Sequence, residues 1–227
     1  PPVSSRPVSS EPVDATPEVT RTIRLMAVGD NLIHSGLYNQ ARRRAGGRGY
    51  DFTFAYQQIA PYFKAADLAF LNQETIVTDG VFEPSNYPRF ASPAEIGDHM
   101  IGLGFNLFSL SNNHMLDKGI KGVRASLDYW EKRNTVLASG VYRNAEAVET
   151  IPTYRLGDLT VSLLAFTDMT NGIPMPKGVE ERLLLTGDEQ TMERLIRRAR
   201  QTTDLVLVSV HWGTENSPTV TQAQKVL

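Results

Sequence analysis

The sequence predicts a layered α/β fold with a mixed sheet, and three observations carry that expectation. Short apolar runs that end in polar residues alternate with segments of helical spacing. One pair of runs, Thr150–Leu156 and Thr160–Phe166, flanks Gly157-Asp158 as the arms of an antiparallel hairpin would. The 227 residues, 41% of them hydrophobic, are enough to bury one substantial core.

Taken in order, Ile23–Val28 is the first expected strand, ended by Gly29. Residues 54–66 carry helical spacing through Ile59 and Phe63, with a break expected at Pro61. Leu68–Leu71 is a second apolar run. Ser92-Pro93 with Glu95 has the form of an N-cap, a first-turn proline and a capping glutamate, and Gly102 and Gly104 are expected to close that helix. Phe105–Leu110 is a third run, followed by a helix whose buried face holds Ile120, Val123, Leu127 and Trp130. After the hairpin, a helix over about 188–200 precedes the last strong strand, Leu205–Val210.

Composition removes several classes of function. With 23 basic and 25 acidic residues the formal charge is −2, and a nucleic-acid binder would carry a positive excess, so no nucleic-acid partner is expected. The absence of cysteine excludes disulfides, zinc fingers, iron–sulfur ligation and a cysteine nucleophile. No stretch approaches the roughly 18–20 apolar residues of a membrane helix. Residues 1–21 hold five of the 13 prolines and four serines within the first ten positions, which predicts a semi-extended linker or stalk ahead of a domain over 22–227. The stalk suggests an anchor upstream and an extracytoplasmic domain, with membrane contact only through that missing N-terminal anchor; an ordinary disordered tail has the same composition.

The polar residues that follow the strands point to chemistry. The first strand runs into Asp30 and Asn31, the second into Asn72, Gln73 and Glu74, and the third into Asn112, Asn113 and His114 with Asp117 just beyond. The last runs into His211, with Glu215 close behind. In a parallel sheet successive strand C-termini share one edge, where α/β proteins build their sites. Carboxylates, amides and imidazoles without thiolate suit Mn, Zn or Fe, as one or two divalent ions, and one carboxylate can bridge a pair. Each residue also has a plainer role: Asn112 and Asn113 as turn formers, Asp117 as a helix cap, His211 as a core histidine, Glu74 as a loop carboxylate. Four such placements at four strand ends favour the site.

The segments GDNLIH, LNQET, SLSNNHMLDKG and VSVHWGTE, in that order, resemble the CapA family of capsule biosynthesis proteins, from about Ile23 to the end of the chain. The resemblance implies a four-layer α/β/β/α sandwich with mixed sheets, of the calcineurin-like metallophosphoesterase type. It implies metal ligands at Asp30, Glu74, Asn113 and His211, with His114 acting on the leaving oxygen. Asn31, Asn72, Asn112, Asp117 and Glu215 would contact substrate or support the ligands. The pattern departs in two places. Leu32 stands where a ligand histidine is usual, with His34 two residues on, and a terminal His-x-His type segment is absent, so the domain is expected to be truncated at its C-terminus. The implied role is poly-γ-glutamate capsule synthesis or export, with an anionic polymer or a phosphoester as substrate and membrane capsule synthase subunits as partners. Its alternative is a non-catalytic polymer-binding or scaffold subunit.

Other features carry less. Arg42–Arg44 with Arg48 form the densest basic cluster, either a solvated helix end or an anchor point for an anionic polymer. His99 is expected to be structural or exposed. Residues 169–179 are rich in proline and glycine and form a long loop whose place relative to the site is not legible.

Overall fold

The first strand, β1 (Leu25–Asp30), opens a run of strand–helix units in a computed structural model that describes residues 22–227. The linker expected over residues 1–21 lies outside the described residues. After β1 come α1 (Ser35–Arg44), α2 (Thr53–Tyr56), α3 (Ala60–Lys64) and β2 (Leu68–Asn72). Then follow α4 (Ala94–Leu103), β3 (Leu107–Ser109), α5 (Gly119–Glu131) and β4 (Leu137–Ser139). The second half holds β5 (Val141–Tyr142), α6 (Ala145–Glu149), β6 (Thr153–Leu156), β7 (Leu159–Thr167) and β8 (Arg182–Leu183). It closes with α7 (Glu189–Thr202), β9 (Leu205–His211) and α8 (Gln222–Val226).

Strands β1-β2-β3-β4 form one sheet, in that order and parallel throughout. The second sheet, β6-β7-β9, is mixed: β6 and β7 form the expected hairpin, and β9 runs parallel to β7. A short antiparallel pair, β5 with β8, joins the two halves. Side-chain alternation along the strands then builds four layers. Leu68, Leu107 and Leu137 face Val161 and Leu163 in a dry layer between the sheets. The opposite residues, Ala69, Leu71 and Phe108, pack against Ile96, Met100 and Leu103 of α4 and Val123, Leu127 and Trp130 of α5. On the far side, Leu164 and Phe166 meet Met192, Leu195 and Ala199 of α7. Each fully buried leucine or phenylalanine in these layers contributes about 1.5–3 kcal/mol. The result is the four-layer α/β/β/α sandwich; of the mixed sheets expected, the second is mixed and the first is wholly parallel.

Several boundaries differ from expectation for identifiable reasons. The helix over 54–66 is two short helices, because Pro61 cannot continue an earlier ladder and sits in the first turn of α3. In α4 the N-cap is Pro93, without a side-chain cap; the Ser92 hydroxyl instead donates to Thr75 Oγ1. Gly104 closes that helix in the left-handed region at φ 108°, while Gly102 lies within it. Arg42, Arg43 and Arg44 form the last turn of α1, where positive charge complements the helix dipole.

Candidate functional site

Because β1, β2 and β3 are parallel, their C-terminal ends deliver Asp30, Asn72–Glu74 and Asn112–His114 to one edge. The parallel pairing of β9 with β7 brings His211 to the same edge from the second sheet. In β1 the register slips between Ala27 and Asp30, a bulge that re-aims Asp30 as it leaves the sheet.

Four ionisable side chains converge there. His211 Nδ1 lies 3.7 Å from Asp30 Oδ1, and His211 Nε2 lies 3.9 Å from Glu74 Oε1. His114 Nε2 approaches the same Glu74 oxygen at 3.9 Å. These gaps are too long for hydrogen bonds. Glu74 is 6% exposed and has no hydrogen-bond donor among the described residues, whereas the Asp30 side chain is half exposed. Burial, then the nearby Asp30 charge, push the Glu74 carboxyl up to about 7 despite the opposing pull of His114.

Amides tie the cluster together. Asn72 Nδ2 donates to Asp30 Oδ1 at 2.7 Å and faces His211 Nδ1 at 3.3 Å. Ionised Asp30 only accepts, so this amide nitrogen is the donor and His211 Nδ1 accepts from it, leaving the ring hydrogen on Nε2. Burial lowers the His211 pKa, with Asp30 and Asp168 opposing. Asn112, wholly buried, donates to Asn72 Oδ1 and to the Gln73 carbonyl, and accepts from the His114 backbone N–H. Asn31 is also buried, but as a strut: it donates to Gln73 Oε1 at 2.8 Å and accepts from the Tyr56 hydroxyl at 2.7 Å.

His114 is held from behind. Its Nδ1 bonds Asp117 Oδ2 at 2.8 Å, and the same oxygen accepts from the Phe90 backbone N–H at 2.7 Å. Burial works against the charged ring, yet the Asp117 hydrogen bond and charge, joined by Glu74 and Glu215, raise the His114 pKa. Asp117 therefore positions a histidine; α5 starts at Gly119 without a side-chain cap. Asn113 makes no hydrogen bond to the carboxylates: its amide nitrogen donates to Asn171 Oδ1 at 3.2 Å, and its Oδ1 is a buried acceptor without a partner among the described residues. Glu215 is exposed, near enough for its charge to reach Glu74 and His114.

Three contributors were missed in the sequence. Asn171, with φ 51°, brings the 169–179 loop to this edge, and its amide lies 3.4 Å from His114 Nδ1. Asp168 accepts from the Gly213 backbone N–H and so pins the segment after His211. Thr75 holds the turn beyond Glu74 through Gln73 and Ser92. Asn171 and Asp168 follow β7, whose C-terminal end could have been counted as a fifth strand end at the rim. His34 takes no part in the cluster; its Nδ1 meets Asn86 Oδ1 at 3.1 Å.

Among the described residues no three His, Asp or Glu side chains close into a ready ion cage. The donor chemistry nevertheless fits a hard or borderline divalent cation. A buried carboxyl with no donor, a neighbouring carboxylate and two imidazoles leave a concentration of acceptors that a cation would satisfy, and Asn72 N–H occupies part of that role between Asp30 and His211.

Comparison with known proteins gives the family and the fold class. Residues 24–227 match the family model for the bacterial capsule synthesis protein PGA_cap. The chain belongs to the PGA_cap family. Over 186 residues it is 26% identical to the PGA biosynthesis protein CapA of Bacillus subtilis (strain 168), covering 78% of this chain and 47% of that protein. Identity to the capsule biosynthesis protein CapA of Bacillus anthracis is also 26% over 186 residues, covering 76% of this chain and 44% of the relative. The chain thus spans less than half the length of these curated relatives. A crystal structure of a Staphylococcus aureus protein assigned as a 5'-nucleotidase, in complex with alpha-ketoglutarate, superposes with a TM-score of 0.50 over 86% of this chain and 38% of the other. At 12% identity that is a likeness of fold alone, and the fold this PGA_cap chain shares with it is metallophosphoesterase-like.

Proposed function

We propose that the strand-end cluster binds one or two divalent ions (Mn, Zn or Fe) and hydrolyses a phosphoester during synthesis or export of an anionic capsule polymer, poly-γ-glutamate. The observation that carries this reading is Glu74, a buried carboxyl without a hydrogen-bond donor, set between two imidazoles and beside Asp30. Asp30, Glu74 and His211 would hold the ion, with the unpartnered Oδ1 of Asn113 as a further oxygen donor. When bound, a divalent ion supplies positive charge to a phosphoryl oxygen and lowers the pKa of water.

The chain's own residues do the rest. Asp117 keeps the hydrogen on His114 Nδ1 when the ring is neutral and favours the charged ring, so Nε2 can give a proton to a leaving oxygen. Asn112 and Asn72 fix the spacing between the His114 backbone, Asp30 and His211. The Pro/Ser-rich composition of residues 1–21 supports a stalk ahead of an extracytoplasmic domain over 22–227, and membership of the PGA_cap family supports work beside membrane capsule synthase subunits.

Metal content and phosphodiester turnover of the whole protein, against Asp30→Ala and His211→Ala, test this. Stoichiometric metal and turnover in the wild type, both lost in the two variants, are expected. Folded variants that match a metal-free, inactive wild type and still support capsule formation would overturn it in favour of a polymer-binding scaffold.

A further inference from the structure

A row of aromatic rings runs outward from His114 and nothing in the proposed chemistry uses it. The Phe90 ring meets His114 edge-on at 4.8 Å and His34 edge-on at 5.1 Å, so the two histidines flank one buried phenylalanine. Tyr87 approaches Phe90 at 6.5 Å and is 72% exposed. His34 is exposed as well. The segment that carries the rings is pinned: Ser85 and Ala91 exchange two backbone hydrogen bonds, the Ser85 hydroxyl donates to the Arg89 carbonyl, and Phe90 N–H is held by Asp117. Tyr87 is thus presented to solvent from a fixed turn.

The hydrogen-bonding state of His34 follows from its neighbours. Asn86 Oδ1 accepts from the Ser35 backbone N–H, a group that can only donate, so the atom facing His34 is the amide oxygen. His34 Nδ1, 3.1 Å from that oxygen, must then carry the hydrogen. The neutral ring is left with Nε2 as an acceptor, and Nε2 has no partner among the described residues.

We propose that His34 and Tyr87, both packed on the buried Phe90 ring, form a subsite for a planar, ring-bearing group that carries an N–H donor. The Tyr87 face stacks on the ring and His34 Nε2 accepts its N–H. Because Asp117 fixes both Phe90 and His114 through one oxygen, the subsite lies at a set distance from the proposed proton donor. Its place on the leaving-group side of a phosphoester rests on the function proposed above; the binding itself does not.

Benzamide, which has a ring and an amide N–H but no anionic group, probes the subsite with EDTA present, so a failure of the metal reading leaves this measurement intact. Saturation-transfer NMR at millimolar benzamide should show transfer to the ring protons of the ligand with wild-type protein. Transfer should fall at least threefold in Tyr87→Ala, persist in Tyr87→Phe, fall in His34→Ala, and stay unchanged in Tyr62→Ala, an exposed tyrosine on α3. N-methylacetamide, an amide without a ring, should give transfer at least threefold weaker; equal transfer would identify a bare peptide amide rather than a ring as the ligand and overturn the ring-bearing class. No transfer to benzamide with wild type, or equal transfer with wild type and Tyr87→Ala, overturns the subsite.

Discussion

Replacing Glu74 by glutamine should make the metal-free protein more stable at high pH. The Glu74 carboxyl rises from 4.5 to about 7, first because it is buried and second because of Asp30. A raised carboxyl means that the folded state binds more protons than the unfolded chain between those two values, so its contribution to stability falls as pH rises through that window and stays low above it. At about 1.4 kcal/mol per unit, the shift corresponds to roughly 3 kcal/mol, which relaxation and residual solvent contact reduce to about 2 kcal/mol. Glutamine removes the charge at similar volume, and the Glu74 carboxyl makes no hydrogen bond among the described residues for it to break. Urea unfolding with EDTA should find Glu74→Gln about 2 kcal/mol more stable than wild type at pH 8.5 and within about 0.5 kcal/mol at pH 4.5. A variant equally or less stable than wild type at pH 8.5 would refute the argument that this carboxylate is held at a penalty. Added Mn²⁺ should raise the wild-type midpoint and leave that of Glu74→Gln nearly unmoved, since the ion replaces the missing proton.

Asp117→Asn should lower the His114 pKa, read by NMR titration of the ring, and cost about 1.5–3 kcal/mol. Because Asp117 raises His114, the His114-linked part of that stability is present at low pH and lost as pH rises past the folded pKa, so the variant should suffer more at pH 6 than at pH 9; a pH-independent loss would refute the pairing. Leu163→Ala opens a cavity in the dry layer between the sheets and should cost about 2.5–5 kcal/mol by chemical denaturation. Gly140→Ala puts a side chain at φ 108° and 2.9 Å from the Ser111 backbone nitrogen, so a loss of about 2–3 kcal/mol is expected, together with altered His114 and His211 ring resonances from the displaced segment after Ser111.

The fold was largely legible because apolar spacing and punctuation agreed. Leu68–Leu71, the Ile120–Trp130 face and the Gly157-Asp158 hairpin each lie where a period and a turn signal coincide. Strands β4, β5 and β8 escaped because two or three residues show no period. Helix α1 escaped because its hydrophobic content is sparse, with only Ala41 buried. At the site, the strand-end argument brought Asp30, Glu74, His114 and His211 within 4 Å of at least one other member. It could not tell the different parts played by two adjacent asparagines: Asn112 knits the cluster, while the Asn113 amide nitrogen bonds Asn171 and leaves its oxygen unpartnered among the described residues. Nor could it find Asn171, since a proline- and glycine-rich loop has no register from which to project a direction.

Asp30 and His211 belong to different sheets, which sets a condition on any chemistry here. Their 3.7 Å approach exists only while β9 keeps its register on β7 and the two sheets keep theirs across Leu68, Leu107, Leu137, Val161 and Leu163. A slip of one residue in β9 would turn His211 to the opposite face and give its place to Val210 or Trp212. Asn72 spans the seam, bonded to Asp30 in its own sheet and to His211 in the other, and Asn112 braces Asn72 from β3's end. The amides thus set a geometry that the ionisable residues alone would not hold: without them, Asp30 and Glu74 repel and His211 has only its 3.7 Å approach to Asp30 and its 3.9 Å approach to Glu74, both too long for hydrogen bonds, to fix it. Asn72 is accordingly the residue on which the coupling of the two sheets to the site depends most.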